Sequence, residues 1–363
     1  MANLKSQCHS SSYGPAGKGK KLFQSLNSKS LHTPLTALQQ EQIQQLSNKR
    51  LERMPVQYVL GEWDFQDLTL KMRPPVFIPR PETEDLVSLV VEEESWKCEK
   101  NSDLRFPVSV PHPVILEIGC GSGAIALSLL CKLPQSQVIA VDKEKTAVDL
   151  TRENAHRAVP YALTKGKQDL GIGTLAQCAL WTLSGCNSKT GSTSSTMMFH
   201  TVTLFTVIIP FVFLPFHFAG GREQERQPRD PFGMQGSEGV EVNRENGSAK
   251  QLLLWGPLDF IVSNPPYVFH EDMASLDAEI LCYENLDALD GGDDGMRVIK
   301  TILALAPSLL KDSGSVFLEV DHRHPDMVEN WLQAHPNLLL VLRAIHKDFC
   351  GKPRFLHIQK QSR

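Results

Sequence analysis

Three observations predict an open, doubly wound α/β fold. The first is Val114-Ile115-Leu116-Glu117-Ile118, a short apolar run with β-branched residues that reads as a buried parallel strand. It leads into Gly119-Cys120-Gly121-Ser122-Gly123 and then an apolar helical stretch, Ala124 to Leu130. The second is another strand pattern, Gln137-Val138-Ile139-Ala140-Val141, which ends in Asp142. The third is a regular alternation of strand and helix periods that begins at Leu258-Asp259-Phe260-Ile261-Val262 and continues beyond it. Strands alternating with helices indicate βαβ units and a parallel sheet.

The elements follow in chain order. Residues 36–54 read as a helix with Ile43, Leu46, Leu51 and Met54 on one stripe. Val59 to Leu70 reads as a short hairpin or extended segment carrying Trp63 and Phe65. Pro81 suits the first turn of a helix, with Glu82, Glu84 and Asp85 favourably placed against the dipole. Leu86, Leu89 and Val90 form that helix's buried face, and Asn101 to Pro113 is a proline-rich connector into the first strand. A helix is expected around Ala147–Arg157, after the second strand. Arg297–Leu310 has Ile299, Ile302, Leu303, Ala306, Leu309 and Leu310 at helical spacing. Ser315–Val320 is a strand, Pro325–Ala334 a helix, and Leu338–Leu342 and Phe355–Gln359 the final strands. His322 and His324 are expected on an exposed turn before Pro325, since no further metal-ligand spacing accompanies them.

Two loops carry the chemistry. Glycines after the first strand let the backbone approach a ligand closely, and the helix N-terminus beyond offers free N–H groups and a positive dipole end. Asp142, about 20 positions after that loop, is placed to accept both hydroxyls of a ribose. Cys120 has no His partner nearby in sequence, so it reads as a small residue lining the pocket. The second loop is Ser263-Asn264-Pro265-Pro266-Tyr267, at the carboxyl end of the Leu258 strand, where open sheets hold their ligands. Pro265 and Pro266 fix φ and remove two N–H donors, leaving carbonyls free to accept. A planar –NH2 group would donate one hydrogen to the Asn264 side-chain oxygen and the other to the Pro265 carbonyl, with Tyr267 over its π-face. That chemistry suits methyl transfer to an amide or an exocyclic amine. The glycine loop follows an acidic residue, Glu117, and no third strand-turn-helix for a second nucleotide appears. Together the two loops favour S-adenosylmethionine over NAD.

The chain resembles the HemK-type methyltransferases, which methylate glutamine side-chain amides in peptide-chain release factors. Arg53-Met54-Pro55-Val56-Gln57-Tyr58-Val59-Leu60-Gly61-Glu62 and Ile78-Pro79-Arg80-Pro81-Glu82-Thr83-Glu84 are similar to signatures of that family. So are Tyr283-Glu284, Ala288–Gly292, Asp294–Met296 and the ending Asp348–Phe355. The likeness covers roughly residues 22–157 and 252–360. It implies a methyltransferase sheet, mainly parallel with an antiparallel final strand, and a release factor as protein substrate. Residues 1–21 then form a disordered or targeting segment, 22–72 a truncated helical substrate-contact region with the hairpin, and 73–363 the methyltransferase domain. Asn264, Pro265 and Tyr267 become the catalytic residues, with Pro266 beside them in the substrate site. Glu117, Gly119, Cys120, Gly121, Ser122, Gly123, Asp142 and Asn264 form the cofactor site.

Residues 158–250 depart from this pattern. Residues 158–190 show no alternating run, where a third strand and an adenine-contact loop are expected. From Thr190 to Gly221 there is no Asp, Glu, Lys or Arg, and Met197–Ala219 is apolar enough to meet the roughly 20-residue length of a membrane span. One crossing would place the two loops on opposite sides of a bilayer, so the stretch reads as an insertion foreign to the fold. If it replaces the third strand, the chain is a catalytically impaired isoform. A second enzyme reading is an adenine-N(6) methyltransferase on DNA or RNA. It would need base flipping and a basic recognition surface, and a net charge of −4 gives it no support. Eight cysteines without paired spacing suit a reducing compartment. The N-terminus, with Lys5, Lys18, Lys20, Lys21 and Lys29 and no acid before Glu41, has transit-peptide composition and points to the mitochondrial matrix, with the cytoplasm as the alternative.

Overall fold

The structure is a computed structural model that describes residues 34–102, 112–165, 177–182 and 257–362. It opens with helices α1 (Ala37–Leu51) and α2 (Val56–Leu60), the hairpin β1 (Glu62–Phe65) and β2 (Leu68–Lys71), and helix α3 (Thr83–Ser102). Next come β3 (Val114–Ile118), α4 (Ala124–Lys132), β4 (Gln137–Asp142), α5 (Lys145–Lys165) and β5 (Gln177–Thr182). The chain then runs through β6 (Leu258–Ser263), α6 (Ala278–Tyr283), α7 (Arg297–Leu309), β7 (Leu310–Glu319), α8 (His324–Ala334), β8 (Leu340–Lys347) and β9 (Pro353–Lys360).

Seven strands form one sheet in the order β5-β4-β3-β6-β7-β9-β8. All pairs from β5 to β7 are parallel, and β9 runs antiparallel to both β7 and β8. The chain order reverses at β3, which lies between β4 and β6. A reversal of this kind opens a crevice at the carboxyl edge of an α/β sheet. The strands read as continuous apolar runs because both faces are covered. Ile115, Val138 and Phe260 point into one core layer with Leu86 and Val90 of α3 and Leu129 of α4. Leu116, Ile139 and Ile261 point into the other with Ile299, Ile302 and Leu303 of α7 and Val328 of α8. Each such side chain removed from water contributes about 1.5–3 kcal/mol before entropy is counted.

Several expectations need correction. A third strand is present: β5 pairs in parallel with β4 from Gln137↔Gln177 to Asp142↔Thr182, inside the stretch read as foreign. Helix α5 also extends to Lys165, past the supposed boundary at 158. β5 lies at the edge of the sheet, and its weak pattern escaped notice because pairing with β4 supplies what propensity does not. One half of the premise for an impaired isoform, a sheet lacking this strand, therefore falls; the other half, the adenine-contact loop, lies outside the described residues. Pro81 precedes α3 rather than sitting in its first turn, although Glu84 and Asp85 do. His324 is fully buried at the start of α8, not on an exposed turn. Helix α1 buries none of its residues, and Ile43, Leu46 and Leu51 remain exposed. No helix among the described residues is long and apolar enough to cross a membrane. The N-terminal basic segment, most of the 101–113 connector, the apolar run 197–219 and the adenine-contact loop expected after the third strand lie outside the described residues.

Candidate functional site

The glycine loop and the Asn264 loop leave neighbouring strands at paired positions, Ile118 against Ser263. The Ser263 hydroxyl donates to the Ile118 carbonyl at 2.7 Å, so the loops diverge from a fixed point. Between them opens a cavity of about 840 Å³. All the predicted site residues except Gly123 contribute to its wall.

The glycine loop is held through its backbone. Gly119 and Cys120 N–H groups both donate to the Val141 carbonyl, at 2.8 and 3.0 Å. Gly121 N–H donates to Asp142 Oδ2 at 2.9 Å, and Glu144 N–H to Asp142 Oδ1 at 2.8 Å. Two α5 side chains tie down the carbonyls: Thr151 Oγ1 donates to Gly121 O at 3.0 Å, and Asn154 Nδ2 to Ser122 O at 2.9 Å. Gly123 has φ 85°, and a Cβ there would lie 2.8 Å from Thr151 Cγ2, so only glycine fits. Its place is therefore the packing of α4 on α5, not the cavity wall.

Two carboxyls face this half of the cavity. Glu117 is buried, and its Oε2 accepts from the Ala126 N–H at 2.9 Å in the first turn of α4. Burial pushes its carboxyl well above the usual range, and the neighbouring Asp142 adds to the rise. Burial also raises Asp142, against the opposing pull of the backbone N–H groups that it accepts. A desolvated pair of acids favours a ligand that brings positive charge. Asp142 still has acceptor capacity, since a carboxylate offers about four lone-pair sites.

Side chains hold the other half. Asn264 Nδ2 donates to Thr83 Oγ1 at 3.3 Å, and Thr83 Oγ1 donates to Glu319 Oε2 at 2.8 Å. The Tyr267 hydroxyl donates to the other oxygen, Glu319 Oε1, at 3.2 Å. Glu319 ends β7 and is buried, which lifts its carboxyl to about 7 despite the donors and the nearby Arg354 cation. Burial and the Glu319 charge also raise the Tyr267 hydroxyl above its ordinary range. The segment carrying Thr83 is pinned by buried Glu284, which accepts from Ile78 N–H at 3.2 Å and from Arg80 Nη2 at 2.7 Å.

Behind Tyr267, a glycine turn closes against His324. A Cβ on Gly295 would meet the Tyr267 carbonyl at 2.6 Å and His324 Nε2 at 2.5 Å. His324 Nδ1 accepts from Asp321 N–H at 3.1 Å, so its proton sits on Nε2 and faces the Asp294 carbonyl at 3.1 Å. That buried histidine is structural, which accounts for the spacing that sequence reading took for a turn.

A family model described as "Methyltransferase small domain" matches residues 106–166, which include the glycine loop and Asp142. The MTRF1L release factor glutamine methyltransferase of Homo sapiens is 46% identical over 342 residues, covering 94% of this chain and 78% of that protein. This chain belongs to the release factor glutamine methyltransferase family. The release factor glutamine methyltransferase of a Synechocystis strain is 28% identical over 324 residues, covering 87% of this chain and 77% of that protein. Among solved structures, a release-factor-specific protein-(glutamine-N5) methyltransferase from Alicyclobacillus acidocaldarius is 19% identical. It covers 78% of this chain and 95% of its own, with a TM-score of 0.33, and the family assignment rests on the sequence relatives instead.

In this release factor glutamine methyltransferase, Gly119 to Ser122 with Asp142 and Asn264 to Tyr267 line one cavity. Sequence reading missed Thr83, Thr151, Asn154, Glu284 and Glu319. Thr83 and Glu284 lie within quoted motif segments, and Glu319 ends an apolar strand just as Asp142 does, which was the available signal.

Proposed function

We propose that this chain transfers a methyl group from S-adenosylmethionine to the side-chain amide nitrogen of a glutamine in a peptide-chain release factor. The observation that carries this reading is one cavity walled on one side by the glycine loop with Asp142 and on the other by Asn264, Pro265 and Tyr267. Asp142 would hold the ribose hydroxyls, and the Gly119–Gly123 loop, with Glu117 behind it, the methionine part. When bound, S-adenosylmethionine supplies an electrophilic methyl group on a positively charged sulfur. The fit is supported by the open backbone at Gly119, where a Cβ would stand 3.9 Å from the Asn264 carbonyl and narrow the gap between the loops.

Amide nitrogen is a poor nucleophile because its lone pair is delocalised into the carbonyl. Asn264 Oδ1 and the Pro265 carbonyl would each accept one N–H, holding the nitrogen toward the methyl donor and reducing that delocalisation. Tyr267 would cover the amide plane. The chain's contribution is thus positioning and stabilisation of charge developing on nitrogen. The surplus proton leaves to water, since the described residues offer no base at the motif itself.

Labelled S-adenosylmethionine incubated with release factor or with duplex DNA tests the reading. Label in the factor, at glutamine, is expected; label in DNA alone overturns it. We place the protein in the mitochondrial matrix on the basic, acid-free composition of residues 1–35. That segment fused to a fluorescent protein should accumulate in mitochondria, and a diffuse signal would count against it.

A further inference from the structure

We infer that Glu319 and Thr83 form a hydrogen-bond relay that fixes which end of the Asn264 amide faces the substrate. The inference rests on the reading of Asn264 as the acceptor for the glutamine amide. Its geometry is a continuous chain: Asn264 Nδ2 to Thr83 Oγ1 at 3.3 Å, Thr83 Oγ1 to Glu319 Oε2 at 2.8 Å, and Tyr267 hydroxyl to Glu319 Oε1 at 3.2 Å.

Direction in this chain follows from donor counting. An ionised carboxylate only accepts, so Glu319 draws the single hydroxyl hydrogen of Thr83 to Oε2 and that of Tyr267 to Oε1. Thr83 is then left with lone pairs alone to offer Asn264. The amide must turn its –NH2 toward Thr83, which leaves Oδ1 for the cavity. A flipped amide would set –NH2 against the substrate –NH2, donor against donor, and methyl transfer would lose its orienting acceptor. Thr83 and Glu319 are both buried, although Thr83 reaches the cavity wall, so a lost link leaves a buried carboxyl short of a donor. A single carboxylate thereby orients two groups on the cavity wall, from a strand that supplies none of that wall.

The relay also couples turnover to the state of Glu319. The charged and titratable groups facing that carboxyl are Arg354 from β9, Glu82 ahead of α3 and Tyr267 after β6. Arg354 favours the ionised form, whereas burial and Glu82 oppose it, and the balance sits at about 7. Below that value a proton on Glu319 competes with one of its two donors, Thr83 or Tyr267, for an oxygen.

The test uses the full chain with release factor, reading kcat, KM and the dissociation constant for S-adenosylmethionine. Thr83→Val keeps shape and removes the link; kcat should fall about a hundredfold, as for a misplaced reacting group, with cofactor affinity within twofold. Thr83→Ser restores the hydroxyl and should recover most of that loss. Glu319→Gln leaves one acceptor for two donors, so kcat should fall about tenfold. The wild-type profile should rise near pH 7, and Glu319→Gln should lose that limb. Wild-type kcat in Thr83→Val, or identical pH profiles for wild type and Glu319→Gln, overturns the relay. Asn264→Ala separates the two proposals. If it too keeps turnover, the reading of Asn264 fails; if it is inactive while Thr83→Val is not, only the relay fails.

Discussion

The two loops at the carboxyl edge of the sheet do the same architectural job by opposite means. The glycine loop is fastened through main-chain groups: its N–H donors reach the Val141 carbonyl and Asp142, and two α5 side chains grip its carbonyls. The Asn264 loop, shortened in N–H donors by two prolines, is aimed by side chains from α3 and β7. The difference follows from what each must present. A shape-complementary cradle is set by backbone conformation, whereas an amide acceptor of defined polarity needs partners that fix which atom points outward.

Substitutions can break or sharpen this contrast. Asn264→Ala removes the acceptor itself and should lower kcat by about 10²–10³, the loss seen when one stabilising group of a transition state is deleted. Cofactor affinity should change little; a retained turnover would end the substrate-amide reading. Asp142→Ala works on the other half and should do the reverse. Losing a charge-assisted hydrogen bond of about 1.5–3 kcal/mol raises the cofactor dissociation constant about tenfold or more. Calorimetric titration reads it, and unchanged affinity would remove Asp142 from the cofactor site.

Gly123→Ala probes the cradle without touching the cavity. The residue sits at φ 85° with Thr151 Cγ2 2.8 Å and Leu127 Cδ1 3.2 Å from the added methyl. Strain and overpacking should cost about 1–3 kcal/mol of stability. Thr151→Ser in the same chain removes Cγ2 and should recover part of the loss, measured as denaturation midpoints. The last effect concerns Glu319. Its folded value of about 7 stands above the unfolded 4.5, so the folded state holds the proton longer. Stability is therefore full below about 4.5 and falls as pH rises toward 7. Glu319→Gln should flatten that slope in denaturation curves recorded across this range.

Much of this was legible beforehand where local chemistry decides. The apolar run at Val114, the glycine spacing, Asp142 and the Asn264–Tyr267 loop all depend on residues close in sequence, and the structure brings them to one edge. The antiparallel β9 followed from the family resemblance. β5 did not, because an edge strand owes its existence to the neighbour that pairs with it. His324 looked like a turn residue, yet it is buried by contacts with the Asp294–Gly295 segment about 30 residues away.

The sequence by itself determined the strand-loop-helix grammar and the two loops that line the cavity. Only the tertiary structure decided how the groups on those loops are aimed. Thr83 and Glu319 lie 236 positions apart, and their hydrogen bond exists because α3 packs over the carboxyl end of β7. Propensity and periodicity report on neighbours along the chain, whereas the direction of a hydrogen bond in a buried relay depends on every donor that the fold brings to it.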